Sequence, residues 1–283
     1  MDDYLKNGFA VVRNVFSGEE ISEIAEEVDR LKLEGLKHTS SFRQGNILFA
    51  IEDDPNLGHV LRFLHWPGYI SPVLARYRID IRLLEIVMPY IGINLKQISS
   101  QIVWKTPGAK STSYTFHQDY RFRRPRHAYR RMGISNIQIG IAIDGHCVEN
   151  GCLKMVKGSH LEGPVELNYD KSVYKGACSS EDLDKLGYSQ KDIVDVELDP
   201  GDVVYWSPYT IHGSGNNLSN GDRRLFINGF ITAENCDVGE WAFKDGKPCE
   251  LGEQQMVQYE DLYERPEPHY VEGDLNPYKE DNY

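Results

Sequence analysis

The sequence predicts a mainly β fold, a sandwich or barrel buttressed by helices. Three observations point there. Helical patterns come first and a run of strands follows, the order expected of helices packed on a β core. From about Ile98 onward, short segments rich in Val, Ile, Tyr and Phe are separated by turn residues. One of them, "SNIQIGIAID", alternates strictly. Ile137, Ile139, Ile141 and Ile143 share one side, and Asn136, Gln138, Gly140 and Ala142 the other. The isoleucine side should pack under the helices. The polar side should then face either a cavity or bulk water, and alternation alone does not choose between them.

The elements follow in order. "DDYLKNGF" reads as a short helix and "AVVRNVF" as a strand. Ser17 and Glu20 form a capping-box pattern before "ISEIAEEVDRLKLEGL", an amphipathic helix ending near Gly35. "PGYISPVLARYRIDIRLLEIVMPYIG" reads as helices bounded by Pro and Gly. "HTSSFRQGNILFAIEDDPNLG" (His38–Gly58) has the polar, Gly-containing composition that a lid allows. The predicted strands are "QISSQIVWK", "SYTFHQDY", "ISNIQIGIAID", "CLKMVKGSH", "IVDVELDPGDVVYWSP", "IHGSGNN" and "RRLFINGFITA". One domain is expected over 1–283: helical support to about 97, a β core over about 98–233, and an acidic, Tyr-rich segment over about 234–283.

Composition excludes several classes. A hydrophobic fraction of 40% and a charged fraction of 26% are those of a globular protein. A net charge of −12 argues against general nucleic-acid binding. No apolar run approaches the roughly 18 residues that would span a bilayer. The N-terminus lacks a basic-then-apolar leader, so a cytoplasmic location is expected. Five cysteines, odd in number and without a CxxC pair, suggest reduced thiols rather than a disulfide frame or a zinc-thiolate site.

The chemistry concentrates in three places. In "SYTFHQDYRF" (Ser113–Phe122), His117 and Asp119 are two positions apart, so on a strand they face one side and Gln118 the other. Alone, the pair fits a metal site or an ordinary polar strand equally. In "PGDVVYWSPYTIHGSGNN", a strand leads to His212, followed by Gly213, Ser214 and Gly215, small residues that let a ligand come close to the backbone. A structural histidine satisfies that pattern too. Arg223 then opens the next apolar strand. Two histidines and one carboxylate on one face of a metal leave the other face open. That arrangement suits a non-haem Fe(II) binding a co-substrate and O2. An arginine on the adjacent strand can hold a carboxylate by bidentate hydrogen bonding.

His117-Gln118-Asp119, "ENGCLKMVKGSH", "PGDVVYWSPYTIHGSGNN" and Arg223, in that order, resemble the phytanoyl-CoA dioxygenase family of Fe(II)- and 2-oxoglutarate-dependent oxygenases. The resemblance runs from the N-terminal helix to about Ala233. It implies a double-stranded β-helix (the jelly-roll, cupin-like core), with His117, Asp119 and His212 as catalytic iron ligands. It also implies Fe(2+), 2-oxoglutarate and O2 as cofactor and co-substrates. Arg223 and Ser214 would meet the distal carboxylate of 2-oxoglutarate. Gln101 and Gln138 are expected beside that co-substrate. Arg224 should point the opposite way from Arg223. Halogenating relatives lack the carboxylate kept here as Asp119, so hydroxylation or a related oxidation, such as desaturation or ring closure, is implied over halogenation.

Substrate is less legible. "RFRRPRHAYRR" (Arg121–Arg131) holds six arginines directly after the metal motif. They fit either recognition of an anion or a solvated loop paired with the acidic C-terminal segment. Asn136, Arg121, Arg124 and Tyr205 are the expected substrate contacts. The sharpest expectation is a small organophosphonate, of aminoalkylphosphonate type, hydroxylated next to phosphorus. An amino acid, a compatible solute or an acyl-CoA is the alternative. The expected partner is a small molecule, with no nucleic acid and no membrane, and a homo-oligomer is compatible with the sequence. A non-catalytic cupin-like binding protein would lose a ligand or Arg223, and none is lost. A zinc hydrolase would want a catalytic Glu or an HxHxD cluster, and neither occurs near the motif.

Overall fold

The structure, a computed structural model, describes residues 2–123, 125–165, 180–254 and 269–270. The first half holds α1 (Asp3–Asn7), β1 (Phe9–Val12), α2 (Gly18–Gly35), β2 (Phe42–Gln44), β3 (Ile47–Asp54), β4 (Gly58–His65), α3 (Pro72–Tyr77), α4 (Ile81–Ile91), β5 (Leu95–Lys105) and β6 (Tyr114–His117). The second holds α5 (Met132–Ser135), β7 (Asn136–Ala142), β8 (Leu153–Val156), α6 (Ser180–Lys185), β9 (Ile193–Val196), β10 (Val203–Trp206), β11 (His212–Ser214), β12 (Arg223–Thr232), β13 (Glu240–Lys244), β14 (Lys247–Pro248) and β15 (His269–Tyr270).

Two antiparallel sheets form the core. Among the described residues the larger has 11 strands, with the path β1-β10-β7-β12-β5-β4-β3-β2-β15 and the pair β13–β14 attached to β5. The smaller has 4 strands in the order β6-β11-β8-β9. Between them lies an apolar layer in which Val103, Ala142, Leu225 and Ile227 of the large sheet meet Leu153, Met155 and Val196 of the small one. On its outer face the large sheet is covered by helices. Ile21, Ile24, Val28 and Leu31 of α2 are buried at helical spacing and pack with Ile137, Ile139 and Ile141 of β7. The α2 start is fixed as the sequence indicates. The Glu20 N–H donates to Ser17 Oγ and the Ser17 N–H to Glu20 Oε2. Such a cap contributes about 1 kcal/mol.

The N-terminal part is not purely helical support. It supplies β1, which pairs with β10, and β2–β4, which extend the large sheet beyond β5. Residues 38–58, whose composition allowed a lid, lie largely in β2 and β3. "ILFAI" is buried at every position, and a short apolar run does not distinguish strand from helix or loop wall. These strands position the site. Asp54, at the end of β3, accepts the N–H groups of Lys110 at 2.6 Å and Ser111 at 2.9 Å. Arg62 of β4 donates to Glu52 at 2.6 Å and to the Ser113 carbonyl at 2.7 Å. Together they pin the segment that enters β6. Most of the acidic C-terminal segment, 255–268 and 271–283, lies outside the described residues.

The metal centre and its surroundings

β6 and β11 are neighbours, and their register sets His212 directly opposite His117. The approach is close because Gly213 intervenes: a Cβ there would sit 2.9 Å from the Tyr114 carbonyl. His117 Nδ1 lies 2.7 Å from the Thr115 carbonyl, and His212 Nδ1 lies 2.9 Å from the Thr210 carbonyl. Each Nδ1 therefore carries the proton and donates, which leaves each Nε2 lone pair free. Both Nε2 atoms face Asp119, 3.7 Å from Oδ1 and 3.7 Å from Oδ2 respectively. The candidate ligand atoms of His117, Asp119 and His212 all lie within 4.8 Å of one another.

Asp119 does not sit on the strand. β6 stops at His117, and Asp119 opens a 3-10 turn, Asp119–Phe122, which swings its carboxylate back over the two imidazoles. Trp206, which the sequence offers as core packing or as an aromatic contact for a cationic amine end, instead supports a metal ligand: its Nε1 donates to Asp119 Oδ2 at 2.8 Å. Gln118 points away and ties loops together, donating to the Gly163 and Tyr209 carbonyls at 2.8 and 2.6 Å. Burial, then the neighbouring His212, pushes His117 down to about 3, so its imidazole is neutral. Burial pushes the Asp119 carboxyl up, but the two histidines, Arg123 and the Trp206 indole more than offset it, and it stays ionised. Two imidazoles and one carboxylate, oriented by their own hydrogen bonds, fit a divalent iron with an open face.

Arg223 begins β12 and faces inward, 1% exposed. Its Nη2 donates to the Gly151 carbonyl at 2.8 Å, and its Nε has no partner. Directly across on β5 is Lys105, equally buried. Lys105 Nζ donates to the Thr112 carbonyl, at 2.5 Å, and to the Gly215 carbonyl, at 2.6 Å. Burial, then Arg223 and Arg62, lowers the Lys105 ammonium well below its ordinary value. No described ion pair involves Lys105 or Arg223. Arg224 points outward, donating to Asp144 at 2.7 Å and Asp29 at 2.7 Å. Ser214, two residues beyond His212, is buried opposite Tyr114 and Leu153.

The other expected contacts divide. Gln101 lies inside the sheet with its Oε1 3.0 Å from His65 Nε2. Gln138 is paired with Gly229, six residues along β12 from Arg223, or roughly 20 Å of strand. That places it with Ser99, whose Oγ is 3.3 Å from Gln138 Oε1, rather than with Arg223. Asn136 is buried and spends its amide on the Phe230 carbonyl at 2.7 Å. Tyr205 corrects the reading of its strand. It faces the helices, stacked on Tyr4 with ring centroids 5.3 Å apart, while its neighbour Trp206 faces the metal site. Period-two alternation sends adjacent residues to opposite faces, so both cannot meet one ligand.

The arginine run also divides. Arg121 is half-buried over the Phe122 ring, and Arg124 lies outside the described residues. Arg130 pairs with Asp237 of the acidic segment at 2.7 Å. Arg126 and Arg131 line an open cleft of about 480 Å3 with Tyr120, Tyr129 and Tyr209. Arg123 alone among those described turns fully inward, 3% exposed.

A double-stranded β-helix carrying two histidines and one carboxylate at its open end defines a non-haem Fe(II), 2-oxoglutarate-dependent oxygenase. The profile of the phytanoyl-CoA dioxygenase (PhyH) family matches residues 4–225, and the chain belongs to that family. It is 24% identical over 237 residues to a probable alpha-ketoglutarate-dependent hypophosphite dioxygenase of Stutzerimonas stutzeri, covering 82% of this chain and 77% of that protein. It is 26% identical over 234 residues to the peroxisomal phytanoyl-CoA dioxygenase of Mus musculus, covering 78% of this chain but only 64% of that protein. Its fold is similar to that of EctD from S. alaskensis with bound Fe, with a TM-score of 0.64 at 18% identity over 96% of this chain and 85% of that one. No helix among the described residues is long and apolar enough to cross a membrane.

Proposed function

We propose that the protein hydroxylates a small polar metabolite bearing an anionic group, with an organophosphonate oxidised at the carbon next to phosphorus as the sharpest form. The reaction is R–H + 2-oxoglutarate + O2 → R–OH + succinate + CO2, with one oxygen atom going to each organic product. Fe(II), when bound with 2-oxoglutarate, supplies the oxidising chemistry. The chain supplies the rest. His117, His212 and Asp119 would hold the metal by Nε2, Nε2 and carboxylate. Trp206 fixes the carboxylate. Arg223, with Ser214 nearby and Lys105 opposite, is the counter-charge for the distal carboxylate of 2-oxoglutarate. The apolar layer between the sheets excludes water.

One observation carries the substrate class. Among the described residues, the interior on the metal side carries the polar groups of Ser99, Gln101, Gln138 and Arg123. A polar lining with a buried cation suits a compact anion better than a long acyl chain. The likeness to a hypophosphite dioxygenase, named for a phosphorus oxyanion, supports the same reading. A second reading, an amino acid or compatible solute, is supported by 25% identity to an ectoine dioxygenase of Bordetella parapertussis over 77% of the chain. The test is succinate and product formation with Fe(II), 2-oxoglutarate and a panel of phosphonates, amino acids, compatible solutes and CoA thioesters. Product from a phosphonate with one atom of labelled O2 is expected. Succinate no higher with any substrate than without one would sink the reading.

A further inference from the structure

We infer that Arg123 is the anchor for an oxyanion on the substrate, presented beside the metal with Ser99 and Gln138. The inference rests on the oxygenase reading and names the residue that selects substrate within it.

Arg123 closes the turn that Asp119 opens: its N–H donates to the Tyr120 carbonyl at 3.1 Å, which fixes the side chain inward. It is 3% exposed, yet among the described residues its one side-chain hydrogen bond is a long one, Nη2 to Ser99 Oγ at 3.3 Å. Its Nε is buried without a partner, and it joins no ion pair among the described residues. A guanidinium buried with unused donors is costly unless an anion meets it.

Local charge sharpens the point. Asp119 is close enough to feel Arg123. Once Asp119 and the 2-oxoglutarate keto acid balance a divalent metal, Arg123 has no counter-charge left among the described residues. Arg223 is occupied far along β12 by the distal carboxylate. The remaining complement for Arg123 is the substrate itself.

Space has been made for it. A Cβ on Gly229 would fall 2.3 Å from both Gln138 Oε1 and Ser99 Oγ, so glycine there lets these polar groups lie over the strand. The same row reaches the metal, because Gln138 pairs with Trp206, whose indole holds Asp119. An arginine fork with a hydroxyl and an amide beside it suits a carboxylate or a phosphonate.

The experiment uses the full chain loaded with Mn(II) and saturated with 2-oxoglutarate, so that the Arg223 pocket is filled. Methylphosphonate and acetate are titrated separately by calorimetry. The two arms distinguish a phosphorus from a carbon oxyanion, and binding of either meets the inference. Arg123→Gln should weaken the bound probe by at least about tenfold while 2-oxoglutarate affinity stays within about twofold. Arg123→Lys should retain part of the binding, and Arg130→Gln all of it. Ser99→Ala, which keeps the charge but removes the partner of Arg123, should cost about threefold and serves if Arg123→Gln does not fold. Three outcomes overturn the inference: no binding of either probe to the loaded wild type, equal binding by wild type and Arg123→Gln, or a parallel loss of 2-oxoglutarate. A wild type that binds neither metal nor 2-oxoglutarate fails differently, and sinks the oxygenase reading first.

Discussion

The two faces of the large sheet are built from alternate residues of the same strands, yet they obey different rules. On the helix side β7 presents Ile137, Ile139 and Ile141, in a mainly apolar layer that also buries the linked polar groups of Gln97, Ser100 and Asn228. On the metal side the same strand presents Asn136, Gln138 and Gly140, fully buried. Neighbouring pairs repeat the division: Tyr205 with Trp206 on β10, Arg224 with Arg223 on β12. Unpartnered buried polar atoms occur on both faces: Arg123 Nε, Asn136 Oδ1 and Arg223 Nε on the metal side, Trp104 Nε1 and Asn228 Nδ2 on the helix side. Buried polar groups are normally satisfied. The difference lies in charge: the unsatisfied metal-side atoms include two buried guanidinium groups, whereas Asn228 on the helix side is tied through its Oδ1 to Gln97 and Ser100.

The largest break in that division is at the metal itself. Asp119→Ala should abolish hydroxylation, with metal affinity falling at least about a hundredfold, since even supporting residues of a metal site cost up to that much. Metal titration followed by calorimetry checks it. The fold should survive, because Asp119 stands on a turn and contributes no strand pairing.

Arg223 and Arg224 offer a test within one dipeptide. If Arg223 holds 2-oxoglutarate as proposed, Arg223→Ala should remove charge-assisted hydrogen bonds of about 1.5–3 kcal/mol each, and the KM for 2-oxoglutarate should rise about 10- to 150-fold. Arg224→Ala should leave that KM unchanged and lower stability by about 1–3 kcal/mol, through loss of its Asp144 and Asp29 pairs. Steady-state kinetics and urea unfolding on both variants separate the effects. If both variants shift KM alike, the faces are not independent.

Trp206 and Tyr205 sharpen the comparison on β10. Trp206→Phe keeps an aromatic ring but removes the donor to Asp119, so metal affinity should fall about tenfold. Tyr205→Phe loses only a 3.3 Å contact to Tyr90 Oη and should leave metal binding unchanged. Equal metal affinity in the wild type and Trp206→Phe would remove Trp206 from the site.

Much of this was legible in the sequence, for a physical reason. Alternation is a property of the chain, so "SNIQIGIAID" reveals which side faces the helices without any coordinates. His117, Asp119 and His212 were legible because their spacing matches a known arrangement. What brings them together is β6–β11 pairing across almost a hundred residues, which no local pattern encodes. Trp206 and Lys105 stayed hidden because each looks like an ordinary residue in an apolar strand, and only cross-strand register gives them partners. The arginine run was visible as charge, but which arginine turns inward depends on where a 3-10 turn ends. Residues 38–58 were left open by the sequence for a related cause: a hairpin with polar turns resembles a loop until a sheet is there to receive it.

The smallest expected effect concerns protons. His65 and His146 lie on the metal side and both stay neutral in the fold. His65 is pushed down to about 3, by burial first and then by Arg43. His146 is lowered well below its ordinary value by burial and then Arg223. The unfolded chain takes up protons at both near pH 6.5, and the folded chain does not. Stability should therefore fall as pH drops below about 6.5, and for His65 the loss should continue to about pH 3. At pH 5.5 each histidine should cost about 1 kcal/mol in the metal-free protein. Urea unfolding of His65→Gln against wild type at pH 7.5 and 5.5 reads this directly. The variant should lose less stability between the two conditions than the wild type does. An identical loss in both would mean that His65 takes its proton without unfolding, and that the metal side is wetter than its lining implies.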